Sequence, residues 1–177
     1  MLLLNRSLKD DYMKKYTNKE FNDICKDILE LDEFDKLKNC DHHGITRHNH
    51  SMRVSYYTYK ITKKLHLNYK SATRAALLHD FFIDEVRDLN GLQRLQKHPL
   101  YALENSKKYF ELSKLEEDII IKHMFPVTFR PPKYLESWIV DLVDDVSAIY
   151  ERIFTLRKEL NAATTFLFII LLNYLRG

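Results

Sequence analysis

The segment Ala72-Thr73-Arg74-Ala75-Ala76-Leu77-Leu78-His79-Asp80 decides how this chain folds. Its alanines recur at the three- and four-residue spacings of one helix face, and such small side chains let neighbouring helices approach closely. His79 falls on the same face, because it follows Ala72 by seven residues and Ala75 by four. The segment therefore predicts a closely packed helix that ends in an imidazole and a carboxylate.

The composition favours helices throughout. The chain has 177 residues, a length typical of one domain, and contains only 3 glycines and 4 prolines. Strand-rich folds need frequent turn residues, and a phosphate-binding glycine loop needs several glycines close together. These counts exclude both classes. They predict an all-α, single-domain bundle of about seven helices over residues 1–177.

Charge, cysteines and hydropathy limit the partners and the compartment. Lys and Arg number 28 against 25 Asp and Glu, and the net charge of +3 is spread along the chain, so nucleic-acid binding is not expected. Two cysteines and no signal-peptide core predict a cytoplasmic protein. The apolar run 166–172 is too short for a transmembrane segment. It predicts a buried helix or an oligomer contact, such as a homodimer, with a peripheral membrane contact as the alternative.

Capping residues and apolar spacing predict the individual helices. One helix begins after the cap Asn18, and a capping box at Ser113 begins another. A further helix is expected to begin at Pro99, because proline is favoured in the first turn. Residues 124–132 contain three prolines and predict an extended loop. Two apolar stripes predict more helices: Val54, Tyr57, Ile61 and Leu65, and then Leu135, Ile139, Leu142, Val146, Ile149 and Ile153.

Three histidines extend apolar stripes on three separate helices. His50 lies four residues before Val54, and His79 and His123 follow their stripes at the same spacing. For any one of them alone, a core histidine bonded to a carbonyl or carboxylate is a sufficient explanation. All three together, with Asp80 beside His79, favour a shared divalent cation. Such a cation gives each imidazole a partner and offsets the cost of burying a carboxylate.

The order of these residues resembles a known family. His50-Ser51-Met52-Arg53-Val54, then Ala75 to Asp80, then an aspartate on a late helix resemble the HD-domain metal-dependent phosphohydrolases. The resemblance covers about residues 43–151, which leaves 152–177 as a C-terminal helix. In the family, one metal ion is held by residues that correspond here to His50, His79, Asp80 and Asp144.

The resemblance also implies a second metal ion. Members with two-metal sites add one histidine before a helix-starting proline and one before a loop, and His98 and His123 stand in those places. The chain therefore resembles a small bacterial-type member of the binuclear branch. Mixed imidazole and carboxylate ligands suit Fe, Mn, Zn, Co or Ni better than Mg or Ca.

The residues alone leave the last ligand open among three aspartates. On a helical wheel, Asp145 lies nearer to the apolar stripe of its helix than Asp144 does, and Asp141 also leans away from that stripe. The resemblance instead implies Asp144, which a helix buried on several faces would allow. We therefore expect Asp144 to be the metal ligand and Asp145 to contact a ligand residue without binding the metal itself.

The implied function is hydrolysis of a phosphate ester or anhydride of a nucleotide-like small molecule through a metal-activated water, with His79 and Asp80 at the catalytic centre. Many members carry two lysines that are replaced here by Ile83 and Asp145. The alternative is therefore a non-catalytic, metal-stabilised helical module that binds a nucleotide or a protein. Four basic residues are candidates for binding substrate phosphate, although solvated surface charges explain them as well: His43, Arg53, Arg130 and Lys133.

Overall fold

The computed structural model describes residues 18–42, 45–86 and 88–176 as a helical bundle. Helices account for 74% of the structure, and the described residues form seven α-helices. The predicted all-α bundle of about seven helices is thereby confirmed. Within the same ranges, extended structure is confined to β1 (Asp41–His42) and β2 (Ile45–Thr46), which pair antiparallel with Asp41 opposite Thr46.

Short connections join the helices. In chain order they are α1 (Lys19–Leu29), α2 (Asp32–Asp35), α3 (Arg47–Lys64), α4 (Tyr69–Leu78), α5 (Gly91–Tyr109), α6 (Lys114–Lys122) and α7 (Leu135–Arg176), with a 3-10 turn at Lys36–Asn39 after α2. The central helix is α4, which contacts α1, α3, α5, α6 and α7. Its position in the middle of the bundle explains why its sequence is rich in small side chains.

The hydrophobic core surrounds α4. Ala72, Ala75 and Ala76 have no exposed surface, so the neighbouring helices approach its backbone closely. The large aromatic side chains of Phe21 and Phe34 are also fully buried. Burial of one such side chain stabilises the fold by roughly 1.5–3 kcal/mol, so the core holds the helix ends in fixed positions.

Two helix starts agree with the predicted caps, and a third does not. The Asn18 side chain accepts a hydrogen bond from the Phe21 amide at 2.8 Å, and Ser113 forms its capping box. The start predicted at Pro99 is wrong. Helix α5 begins at Gly91, where Asn90 and Gln93 form a capping box, and Pro99 lies buried inside the helix.

The apolar stripe predicted for α3 faces solvent beyond its first turns. Val54 is buried, but Ile61 and Leu65 are 39% and 52% exposed. The buried face carries hydroxyl side chains instead, and Ser55 Oγ donates a hydrogen bond to the Thr73 carbonyl at 2.7 Å. At Ser55 and Thr62 a backbone carbonyl satisfies the hydroxyl, so these small polar side chains are accommodated in the packed face of α3.

Helix α7 is continuous for 42 residues. The expected C-terminal helix 152–177 is, as far as residue 176, the continuation of this helix, because residues 135–176 include no glycine or proline that would break it. Its buried side is partly polar, whereas Leu142 and Ile149 are 63% and 60% exposed on the other side. No helix within the described ranges combines the length and the apolar composition needed to cross a membrane.

Candidate metal centre

Six side chains from widely separated parts of the chain meet inside the bundle. His50 lies in the first turn of α3, and His79 and Asp80 follow the last residue of α4. The others come from α5, from the residue after α6, and from α7. Each is less than a tenth exposed: His50 1%, His79 0%, Asp80 3%, His98 6%, His123 2% and Asp144 8%. A group of imidazoles and carboxylates is thus buried where three helix ends meet the inner faces of two further helices.

One half of the group is centred on Asp144. Its Oδ1 atom lies 2.8 Å from His50 Nε2 and 3.5 Å from His79 Nε2. Asp80 Oδ2 is 3.9 Å from His79 Nε2. Two helices and the end of a third therefore present ligand-type atoms to one another at this place.

The other half is centred on two imidazoles. The Nε2 atoms of His98 and His123 lie 2.8 Å apart. Asp80 Oδ1 is 3.3 Å from the first of these atoms and 3.8 Å from the second. Since Oδ2 faces His79, the carboxylate of Asp80 lies between the two halves and presents one oxygen to each.

Backbone carbonyls fix the orientation of three of the rings. The Nδ1 atoms of His79, His98 and His123 lie 2.8, 2.9 and 2.8 Å from the carbonyl oxygens of Ala76, Arg94 and Ile120. A carbonyl only accepts hydrogen bonds, so each Nδ1 carries the proton and, in the neutral ring, each Nε2 presents a lone pair. In their neutral forms the rings therefore aim unprotonated nitrogens at the group. Burial opposes a charge on His79, but Asp144 and Asp80 outweigh it and raise the pKa of this ring.

These lone pairs need an electrophile. Two unprotonated Nε2 atoms at 2.8 Å do not satisfy each other, and the buried Nε2 of His79 has no hydrogen-bond partner among the described residues. Three sets of three residues keep their ligand atoms within 4.8 Å of one another: His50, His79 and Asp80; His79, His123 and Asp144; and Asp80, His98 and His123. The donor set fits divalent transition metals or zinc.

The charges in the group affect each titratable member differently. Burial opposes ionisation of Asp144, but His79 and His50 hold its pKa well below the usual range. Burial and the neighbouring His79 and His98 lower the pKa of His123 to about 3, so this ring is neutral. Burial also opposes a charge on His50, but Asp144 and Glu151 outweigh it and raise the pKa to about 10. Metal binding at His50 therefore has to displace a proton.

Glu151 is a member of this site that the sequence did not suggest. Its Oε2 lies 2.9 Å from His50 Nδ1, and its Oε1 accepts a hydrogen bond from Arg53 Nη1 at 2.7 Å. The residue is 1% exposed. Its sequence signal is its spacing, because Glu151 follows Asp144 by seven residues and so occupies the same face of α7.

The three aspartates of α7 have different surroundings. Asp144 is the one that contacts the histidines, whereas Asp145 is exposed. Asp141 is buried and accepts a hydrogen bond from the Phe125 amide at 3.2 Å, in the loop after α6. Burial, followed by the charges of Asp145 and Asp144, raises the pKa of Asp141 to about 7.

The four residues expected to bind substrate are dispersed. Arg53 is buried against Glu151, so its contact with substrate stays a prediction. Arg130 is exposed and lines a surface cleft of about 220 Å³ between α5, α6 and the proline-containing loop. Lys133 has an exposed side chain, and its amide donates to Asp118. His43 lies outside the described residues.

Comparison with known proteins identifies the family of the chain. The family model for the HD domain matches residues 47–149, which is more than half of the chain. The chain therefore belongs to the HD-domain family, as its sequence predicted, and most members of that family are metal-dependent hydrolases that bind divalent metals. No match was found among curated proteins or among solved structures.

Proposed function

We propose that the chain hydrolyses a phosphate ester or anhydride of a small nucleotide-like molecule, using divalent cations. The observation that carries the proposal is the set of imidazole Nε2 atoms that face two buried carboxylates. One of these nitrogens, Nε2 of His79, has no hydrogen-bond partner among the described residues. The residues that would hold the cations are His50, His79, Asp80, His98, His123 and Asp144.

Each half of the site would hold one cation. His50, His79 and Asp144 form the first half, and His98 and His123 form the second. Asp80 presents Oδ2 to the first half and Oδ1 to the second, so this carboxylate would contribute a ligand atom to either half. When bound, divalent cations polarise a phosphoryl group and lower the pKa of water.

The protein residues supply orientation and a dry surrounding. Carbonyl bonds hold three imidazoles, and Glu151 holds the fourth, so the ligand atoms need little reorganisation on binding. Burial of all six side chains keeps bulk water from screening their charges. At the end of α4, Asp80 lies between the two halves and His79 lies beside it in the first half. These are the residues on which catalysis would depend most.

The test is metal content and turnover measured on the same preparations. Chelator-stripped protein is reloaded separately with Mn, Fe, Zn, Co or Ni and assayed on nucleotides, dinucleotides and sugar phosphates. We expect His79→Asn and Asp80→Asn to lose metal and activity together. The matched controls, His66→Asn and Asp88→Asn, change exposed residues and retain both.

The alternative predicts a different combination of results. A metal-stabilised module that only binds a nucleotide or a protein would retain stoichiometric metal and show no turnover on any substrate. The replacement of two family lysines by Ile83 and Asp145 favours this alternative. Hydrolysis of one substrate class by the wild type, and its loss in Asp80→Asn, would exclude it.

Arg130 is the candidate for contact with a substrate phosphate outside the buried group. It lies in the cleft beside Phe129, an aromatic ring that is 84% exposed. Arg130→Gln should raise KM and leave the metal content unchanged, because the side chain is not among the ligand atoms. Exposed Arg157→Gln is the matched control and should change neither.

A further inference from the structure

The side of α7 that points away from the bundle is apolar. Leu142, Ile149 and Leu160 are 63%, 60% and 68% exposed. Between residues 152 and 166, all described side chains except Thr155 are exposed, so this part of the helix projects from the bundle. An apolar surface of this extent marks a contact with something outside the chain.

The spacing of these residues is that of a coiled coil. Positions a of a seven-residue repeat are Ile139, Val146, Ile153 and Leu160. Positions d are Leu135, Leu142, Ile149 and Leu156. Sustained over four heptads, this pattern forms a continuous stripe for a second helix. We name these eight residues the heptad seam.

The heptad seam and the buried site occupy opposite sides of α7. Asp144 and Glu151 take position f of the same repeat, the position farthest from a and d, and both are buried in the bundle. A partner helix can therefore pack on the seam without displacing any residue of the site.

We propose that two copies of the chain dimerise through the heptad seam as an antiparallel coiled coil. Residues 149–160 of the seam are complementary to themselves, as a two-fold symmetric interface requires, because Ile149 can face Leu160 of the partner subunit and Ile153 can face Leu156 of the partner subunit. The repeat indicates that the partner is a second copy of α7. The charges beside the repeat indicate the direction of that copy, and the length of α7 agrees with its register.

The flanking charges give the direction. In a parallel pair, Arg152 at position g faces Arg157 of the partner subunit at position e, which is repulsive. In an antiparallel pair with Ile153 beside Leu156 of the partner subunit, Arg152 instead faces Glu159 of the partner subunit. Because the dimer is two-fold symmetric, the same ion pair forms twice at the interface.

The length of α7 agrees with the same register. The antiparallel pairing is centred between residues 154 and 155, and the helix from 135 to 176 has its midpoint one residue further on. In this register residues 161–174 of each copy lie along residues 135–148 of the other, and the sequence continues the a and d positions there as Ala163, Leu167, Ile170 and Tyr174. Two helices about 63 Å long and 10 Å wide bury on the order of 1,200 Å², enough for a stable interface.

The first test is the mass of the full chain in solution, by light scattering and sedimentation at micromolar concentration. The wild type should be a dimer, and Ile153→Lys a monomer. The control Thr165→Lys places the same charge at position f and should remain a dimer. Circular dichroism should show unchanged helicity in the bundle, because Ile153 is 60% exposed in the single chain.

The second test determines the direction. Arg152→Glu should weaken dimerisation about tenfold or more, because it places two like-charged pairs at the antiparallel interface. The double variant Arg152→Glu, Glu159→Arg should restore it. Tighter dimerisation of Arg152→Glu would instead indicate a parallel pair and overturn the proposed direction.

Two results would overturn the dimer itself. One is a monomeric wild type under these conditions. The other is a monomeric chain that sediments with phosphatidylcholine–phosphatidylglycerol vesicles and loses this property in Ile153→Lys, which would make the heptad seam a lipid contact.

Discussion

The Nε2 atom of His50 lies 2.8 Å from Oδ1 of Asp144, although 94 residues separate them in the chain. The contact joins the start of α3 to the first quarter of α7, and it depends on how α7 is rotated about its own axis. A step of one residue rotates a side chain by about 100°. Asp145 consequently points to solvent while Asp144 contacts the histidines.

This geometry predicts that metal binding depends on Asp144 and does not depend on its neighbour Asp145. Asp144→Asn removes a carboxylate from the ligand atoms and should lower metal affinity at least about tenfold. Asp145→Asn, the same chemical change one residue later, should leave it unchanged. The measurement is metal bound per chain after dialysis against a metal buffer. Equal losses in the two variants would refute the assignment.

Glu151 should act on the metal through His50. Glu151→Gln removes the carboxylate beside His50 Nδ1 and with it the negative charge that pairs with Arg53. We expect a 10- to 100-fold loss of metal affinity, typical for residues that orient a ligand. The neutral amide should also lower the pKa of His50, measured by NMR on metal-free protein. Exposed Glu104→Gln is the control and should alter neither quantity.

Much of the fold follows from the sequence because its local features are unambiguous. Few glycines and prolines leave little besides helices, and Asn18 and Ser113 begin helices as capping residues do. The alanines of α4 similarly indicate close packing at the centre. At Pro99 the same reasoning fails, because the cap at Asn90 is stronger and the helix continues through the proline.

The orientation of α7 could not be obtained from hydrophobic periodicity. A helical wheel assumes that the apolar stripe faces the core, and that assumption favours Asp145 over Asp144. In the structure the apolar stripe faces outward, whereas Asp144 and Glu151 face the histidines. The inversion is possible because the buried imidazoles and Arg53 provide partners for these carboxylates, which offsets the cost of burying them.

Asp118 should stabilise the connection between α6 and α7. Its Oδ2 accepts hydrogen bonds from the Lys133 amide at 2.9 Å and from Ser137 Oγ at 2.8 Å, and Lys122 pairs with its other oxygen. Asp118→Asn weakens three charge-assisted contacts and should lower the free energy of unfolding by about 1.5–3 kcal/mol.

Glu117 provides the control for Asp118. Glu117 is the residue before Asp118 on α6, and it forms a solvent-exposed ion pair with Lys107 of α5. Glu117→Gln should therefore lower the free energy of unfolding by no more than about 1 kcal/mol. Urea denaturation of both variants measures the difference. Similar losses would mean that Asp118 contributes only a surface charge.

Glu20 should make the stability of the bundle depend on pH. Its carboxylate pairs with Lys63 and accepts hydrogen bonds from the hydroxyls of Tyr59 at 2.6 Å and Tyr69 at 3.0 Å, and these contacts lower its pKa from 4.5 to about 2. A lowered pKa stabilises the folded state fully above the pKa of the unfolded chain, and the stabilisation is lost as the pH falls through the folded value.

The predicted window therefore lies between about pH 4.5 and pH 2. Glu20→Gln should lower Tm by a constant amount above this window, and the difference from wild type should shrink within it, because protonation removes the same charge from the wild type. Exposed Asp23→Asn on the same helix is the control and should show no such change. A difference for Glu20→Gln that stays the same down to pH 2 would show that the charge of Glu20 does not stabilise the contact between α1, α3 and α4.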